Sequence, residues 1–273
     1  MTKKTLFRSV AAIAAVLLAT TLAACSSSVS GDTITAGKLT IGTGNPAYEP
    51  WVIGDKPESG KGFEAAVAYA VADKLGFKKS DVVWVRTTFD EAIQPGPKTF
   101  DFNLQQYSIT DDRKKNVDFS SPYYTTTQVV VTTEKSKAAG VTTLAGLKGF
   151  LIGSQTGTTS YDAINNIIKP TQAALAFNSN DDAKAALTNG QVDAIVLDLP
   201  TALYASCCEL TGGKIIGQLA NSAGGDSFGL VLDKGSKLTA AVTKAVDDLR
   251  ADGTLAKLEA KWLTSTAGVP VLK

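Results

Sequence analysis

The 273-residue sequence contains no histidine, a single methionine and three cysteines. Without histidine, both the commonest zinc ligand and the usual general base near neutral pH are missing. The cysteines do not make up for this, because Cys25 stands alone and Cys207 and Cys208 are adjacent. Neighbouring cysteines are poor disulfide partners, since the bond favours Cα atoms about 4.4–6.8 Å apart. Within the helical pattern of residues 203–210 they read as small buried apolar side chains, with a strained vicinal disulfide as the other reading. Concentrated charge is missing too. There are 27 basic and 26 acidic residues, and Lys3, Lys4 and Arg8 fall in a first stretch of 24 that holds no acid, which leaves the rest at −2. That balance offers no basic stripe to nucleic acid. The G-x-G at Gly42–Gly44 runs into Asn45-Pro46, and no phosphate-loop motif follows, so no nucleotide or other cofactor is expected. No catalytic set appears, and Glu49 has no carboxylate partner.

What is present begins with one long apolar run. Residues 1–8 are basic and residues 9–22 are apolar, too short to span a bilayer comfortably, so residues 1–24 read as a secretion signal. The segment closes with Leu22-Ala23-Ala24-Cys25, which resembles the lipobox of bacterial lipoproteins. That resemblance implies cleavage before Cys25 and a lipid on its sulfur; an ordinary signal with an incidental cysteine is the alternative. Residues 25–36 read as a flexible polar tether. The expectation is a soluble domain held at the outer face of the cytoplasmic membrane.

Hydrophobic content of 44% supports a sizeable core. Alternation and 3.6-residue periodicity predict strands at 38–42, 82–85, 100–104 and 128–133, with a helix over 62–76 that buries Phe63, Ala66, Val67, Ala70, Val71 and Leu75. Pro95 and Pro97 cut short a helical turn begun at Phe89. A second set follows, with strands at 150–154, 173–177, 192–197, 215–219 and 228–232. Its helices are 158–168, 181–188, 201–210, 236–251 and 254–263. The repeated β-α-β-α-β pattern predicts an α/β fold of two lobes with mainly parallel central sheets.

Ligands in such sheets bind beyond the carboxyl ends of strands. That rule selects 45–51, Phe89, 105–113, 155–159, 178–180 and Asp198. Thr110 is a good N-cap for a short helix with Asp111 and Asp112 in its first turn, where Arg113 is disfavoured by the helix dipole. Arg113 is either a solvated surface charge or a trap for a carboxylate. Asp198 either caps the next helix or pairs with an ammonium. Gly157-Thr158-Thr159 is either a plain turn and cap or a set of N–H donors at the cleft. Tyr48, Trp51 and Phe89 are either core or the walls of a pocket. Glu64 reads as favourable charge in a first helical turn. A cation, an anion and N–H donors together suit a zwitterion such as an amino acid.

The stretch from Ser108 to Tyr124, S-I-T-D-D-R-K-K-N-V-D-F-S-S-P-Y-Y, resembles the signature of bacterial extracellular solute-binding proteins of polar amino-acid ABC importers. L-T-I-G-T-G-N-P-A-Y-E-P-W, K-G-F-E-A-A-V-A-Y-A-V-A-D-K-L-G, G-S-Q-T-G-T-T-S, V-D-A-I-V-L-D-L-P and A-D-G-T-L-A-K-L-E-A-K-W match in the same order. The resemblance implies a monomer whose lobes close about a two-crossing hinge and deliver a free amino acid to a membrane permease. Lobe 1 would comprise 37–126 and 227–263, lobe 2 residues 127–226, and 264–273 a tail. Arg113, with Ser108, Thr158 and Thr159, would hold the α-carboxylate, and Asp198 the α-ammonium. Asn45, Tyr48, Trp51, Phe89, Gln105 and Gln106 would shape the side-chain pocket. Asn45 stands where an Asp is common, and Gln105-Gln106-Tyr107 replaces small residues, which suggests an uncharged polar ligand side chain, although Glu49 could still receive a cation. Two alternatives stay open: a cyclohexadienyl dehydratase on the same fold, with Glu49 as general acid, and an amino-acid receptor for a membrane sensor.

Overall fold

The computed structural model describes residues 29–220, 226–263 and 268–273. The signal segment, Cys25 and the first part of the tether lie outside the described residues. Among those described, no helix is long and apolar enough to cross a membrane.

In chain order the strands and helices of the first half are β1 (Leu39–Gly44), α1 (Phe63–Lys74), β2 (Val82–Thr87), α2 (Phe89–Ile93), β3 (Phe102–Asn103), α3 (Asp111–Lys114), β4 (Val117–Phe119), β5 (Tyr124–Thr126) and β6 (Gln128–Thr133). Then follow β7 (Ile152–Gln155), α4 (Thr159–Ala163), β8 (Leu175–Phe177), α5 (Asn180–Thr188), β9 (Ala194–Asp198), α6 (Leu199–Tyr204) and β10 (Gly213–Gln218). The chain ends with β11 (Asp226–Phe228), β12 (Val231–Asp233), α7 (Thr239–Ala251) and α8 (Thr254–Trp262).

Two five-stranded sheets result, in the orders β2-β1-β3-β12-β4 and β10-β6-β9-β7-β8. Four strands of each run in one direction; the reversed ones are β12 and β6. Each reversed strand follows directly on a short connecting strand, β11 or β5. Those two connectors pair antiparallel, Asp226 opposite Thr126 and Phe228 opposite Tyr124. The chain therefore passes between the sheets twice through one narrow two-stranded ribbon, and a third time between α8, which packs on the first sheet, and residues 268–273, which reach the second. The expected strand 228–232 is in fact two short strands, β11 and β12, split at Gly229-Leu230 because β11 serves the ribbon and β12 the sheet.

Sequence periodicity placed α1, but its buried face differs from the expected one. Phe63, Val67 and Val71 are buried with Ala65, Ala68 and Ala72, and Ala66 and Ala70 are only half-buried. Gly62 stands at the N-terminus of α1, where its φ is +103° and a Cβ would lie 2.4 Å from the Trp51 carbonyl oxygen, so only glycine fits there. The α1 face joins α7 and α8 over the first sheet through Leu238, Val242, Val246 and Leu255.

Three further readings need correction. Glu64 does lie in the first turn of α1, but it is buried and bonded within the protein. Cys207 and Cys208 form a disulfide and are exposed, because they fall on the outer side of a π-helical turn, Ala205–Glu209, that continues α6. Residues 268–273, read as tail, add to the second sheet: Leu272 N donates to Gln218 O (2.8 Å), Gln218 N to Pro270 O (2.7 Å), and the Leu272 side chain enters the core beside Ile216 and Leu219.

Candidate functional site

The carboxyl ends of the parallel strands from both sheets face one cleft. Its wall includes Tyr48, Phe89, Gln105, Gln106, Ser108 and Arg113 on one side, and Gln155, Thr158, Thr159, Ser160, Asn180 and Asp198 on the other.

Thr110 caps α3 through its hydroxyl, which accepts from Arg113 N (3.2 Å), and this fixes where Arg113 leaves the backbone. Its guanidinium turns inward rather than to solvent. Nη1 donates to the Ser108 carbonyl oxygen (2.8 Å), and Nη2 crosses the cleft to the Gly157 carbonyl oxygen (2.9 Å). The guanidinium also lies over the Phe89 ring at 5.2 Å. Arg113 is 9% exposed, and among the described residues it makes no ion pair. Burial pushes its pKa down, opposed by the field of Tyr107, Asp226, Asp162 and Asp198. A buried guanidinium with two of its five N–H groups bonded among the described residues is a strong receptor for an anion.

Across the cleft, Thr158 caps α4; its hydroxyl accepts from Tyr161 N (3.2 Å) and donates to the Gln155 carbonyl oxygen (2.6 Å). With its hydroxyl spent in this way, what the turn can offer a ligand is the unpaired amides of the first helical turn. Thr159 Oγ1 lies 3.2 Å from Ser108 Oγ on the facing lobe.

Asp198 ends β9 and precedes α6, but its side chain makes no capping bond. It accepts instead from Gln128 Nε2 (2.9 Å), directly opposite it in the β6–β9 register. Gln128 also reaches Asp226 Oδ2, and Ser160 Oγ donates to Gln128 Oε1 (2.6 Å). Thr159 Oγ1 donates to Asp226 Oδ2 as well (2.8 Å). Burial, followed by the Asp226 carboxylate, pushes the Asp198 carboxyl up to about 8, against the Gln128 hydrogen bond and Arg113. Gln128 and Asp226 were not foreseen. The one signal for Gln128 is an amide opening an otherwise valine- and threonine-rich strand; Asp226 gave none.

Below the floor, Glu64 Oε1 accepts from Gln106 N (2.8 Å) and from the Tyr123 hydroxyl, and Oε2 accepts from Gln106 Nε2. Burial pushes this carboxyl up to about 7. Gln105 Oε1 accepts from the Tyr107 hydroxyl (2.8 Å), whose single proton is shared with the Phe89 carbonyl oxygen at 3.2 Å. Tyr48 closes the rim, with Lys184 Nζ of the other lobe 5.3 Å from its ring centroid.

The structure thus brings nine of the expected residues around one cleft: Arg113, Ser108, Thr158, Thr159, Asp198, Tyr48, Phe89, Gln105 and Gln106. It does not bring Asn45 or Trp51 there. Asn45 is exposed outside the wall. Trp51 is wholly buried, edge-on to Phe63, Tyr124 and Phe228, and its indole N–H donates across to Thr201 Oγ1 (2.9 Å). Its bulk found a better-packed place in the lobe core than at a wet pocket wall.

Arranged so, the cleft offers a cation at one end and a carboxylate at the other, which complements a small zwitterion. Comparison with known proteins agrees with that geometry. The arginine-binding extracellular protein ArtP of Bacillus subtilis is 28% identical over 250 residues, covering 89% of this chain and 92% of its own. An ancestral arginine-binding protein bound to glutamine is 33% identical, with a TM-score of 0.69, covering 83% of this chain and 97% of that one. The ancestral amino-acid-binding protein AncCDT-1, a precursor of cyclohexadienyl dehydratase, is 30% identical at a TM-score of 0.69, with coverages of 84% and 96%. The model of bacterial extracellular solute-binding proteins, family 3, matches residues 39–265, and the chain belongs to that family.

Proposed function

We propose that the protein is the lipid-anchored, extracytoplasmic receptor of an ABC importer and captures a free amino acid with an uncharged polar side chain. The observation that carries this reading is the buried Arg113, without an ion pair among the described residues, facing the half-buried Asp198 across a cleft between two sheets. Arg113 holds the α-carboxylate, together with Ser108 and the first turn of α4, and Asp198 holds the α-ammonium. Lobe 1 (37–126 and 227–263) and lobe 2 (127–226) close about β5 and β11, because only the closed form satisfies both ends of the ligand. Cys25 carries the lipid, and a membrane permease receives the ligand.

Apart from Arg113 and Asp198, the cleft wall presents amides, hydroxyls, aromatic rings and Leu197, none of them charged, which supports the uncharged side chain. Glu49, the acid that a dehydratase reading requires, is outside that wall: it accepts from Gly54 N (3.0 Å) and lies against the Tyr204 hydroxyl.

A thermal-shift screen of free amino acids, followed by calorimetry, tests the receptor reading. Removing one partner of a buried charge interaction costs roughly 3–5 kcal/mol, so Arg113→Ala and Asp198→Ala each weaken binding by ~100-fold or more. Affinity near wild type in both variants sinks the assignment. Loss of labelled palmitate incorporation in Cys25→Ser tests the anchor, and uptake in a deletion strain tests the permease link.

A further inference from the structure

Gln106 has φ +52°, a left-handed conformation that a glutamine adopts at a cost. Its N–H and its side-chain Nε2 are both held by the buried Glu64, on Oε1 and Oε2 respectively. Gln105, beside it, has its Oε1 held by the Tyr107 hydroxyl. Each amide is therefore pinned by one end. Among the described residues, the atoms left without a hydrogen bond are Gln105 Nε2, a donor, and Gln106 Oε1, an acceptor, and both residues line the cleft next to Phe89 and Tyr48.

We propose that Gln105 and Gln106 form a donor–acceptor pair that reads a ligand side-chain carboxamide, and that Glu64 is the positioning residue that sets the polarity of this pair. The inference rests on the amino-acid reading of the cleft and deepens it to a side-chain class. An ionised Glu64 carries only acceptors, so Gln106 must give it Nε2 and present its carbonyl to the ligand. A protonated Glu64 keeps the Gln106 N–H and the Tyr123 hydroxyl on Oε1, and its new O–H on Oε2 needs an acceptor. Rotating the Gln106 amide by half a turn supplies Oε1 and presents Nε2 to the ligand instead. The pocket then offers two donors and matches a side-chain carboxylate. Glutamine is preferred above the Glu64 titration, and glutamate gains below it.

The titratable groups facing Glu64 are Tyr123 and Tyr107, both pushed well above the ordinary tyrosine range by burial and so neutral donors, and Asp198 from the facing lobe. Burial places the Glu64 titration itself near neutral pH, at about 7. Asp198 titrates in a neighbouring range, but it meets the α-ammonium, which glutamine and glutamate share, so the ratio of their affinities cancels its effect.

Calorimetry with glutamine and glutamate in acidic (about pH 5.5) and alkaline (about pH 8.5) buffer provides the test. One mismatched buried polar contact changes affinity by about tenfold, so the glutamine-to-glutamate affinity ratio exceeds about tenfold at the alkaline pH and falls by about tenfold at the acidic one. In Glu64→Gln the new amide donates to Gln106 Oε1 at every pH, which leaves the ratio low and flat. Gln106→Ala removes the reader and flattens the ratio while both ligands still bind, which guards against a Glu64 variant that fails to fold. A wild-type ratio that does not move with pH overturns the inference, as does a Gln106→Ala protein with the wild-type ratio. Failure of every α-amino acid to bind at either pH overturns the receptor reading, and this inference with it.

Discussion

Burial and the neighbouring Asp226 carboxylate raise Asp198 to about 8, so near neutral pH a substantial fraction of the empty site holds a proton there. A ligand ammonium favours the charged carboxylate and pulls that value down. Binding therefore releases a proton wherever the pH lies between the bound and free values. Affinity accordingly rises with pH up to about 8, until the ligand's own ammonium begins to lose its proton. Folding carries the opposite sign. Asp198 and Glu64 both have values raised above those of the unfolded chain. The stability they contribute is complete below the ordinary carboxylate range and is lost as pH rises through about 7 and about 8. The ligand-free melting temperature should thus fall between mildly acidic and mildly alkaline buffer, while ligand affinity climbs over the same interval. Calorimetry in buffers of different ionisation enthalpy checks the proton release; a buffer-independent heat at neutral pH contradicts it. Arg113 and Asp198 were legible in the sequence because strand-end positions are few and charges there are conspicuous. Glu64 was not. Its place in a first helical turn explained the charge locally, and nothing in the chain's order announces that Tyr123 and Gln106 converge on it.

At the scale of elements, the turn between β7 and α4 meets lobe 1 through a glycine. Gly157 has φ +71°, and a Cβ there would come within 2.9 Å of Asp90 Oδ1, which belongs to α2 on the opposite lobe. The left-handed conformation penalises Gly157→Ala in any state, but the clash exists only when the lobes are together. Asp90 can swing aside at modest cost, so the substitution should weaken ligand binding by a few-fold, beyond what its loss of stability explains. Adding Asp90→Ala to Gly157→Ala should restore most of the affinity without restoring the melting temperature. No recovery in the double variant assigns the whole effect to backbone strain. The long elements were readable: β6 falls where its valines and threonines predict it, and α5 and α7 follow their apolar spacing and their punctuation by Gly190 and Asp252-Gly253. The strands β4 and β5 were not, and β11 was read with β12 as one strand, because their residues carry no apolar run that sets them apart from the loops beside them. Their identity comes from partners far along the chain, and β5 and β11 form the ribbon on which the two-lobe arrangement depends.

For the whole molecule, the cleft is bridged by direct contacts between lobes: Arg113 to the Gly157 carbonyl, Ser108 to Thr159, Lys184 over Tyr48, and Trp51 to Thr201. The ring of Trp51 is packed in the core of the first sheet's lobe against Phe63, Tyr124 and Phe228. Only its indole N–H reaches across, so opening must exchange the Thr201 hydroxyl for water while the ring keeps its surroundings. That makes Trp51 a reporter of closure rather than of ligand contact. In a protein whose Trp84 and Trp262 are replaced by phenylalanine, adding a bound amino acid should shift the emission of Trp51 in step with the binding isotherm. Thr201→Val removes the acceptor and keeps the shape. It should abolish most of the shift and, because one neutral hydrogen bond nets about 0.5–1.5 kcal/mol, weaken binding only by several-fold. An emission shift that survives in Thr201→Val means that the indole is not reporting this hydrogen bond, and Trp51 then fails as a reporter of closure.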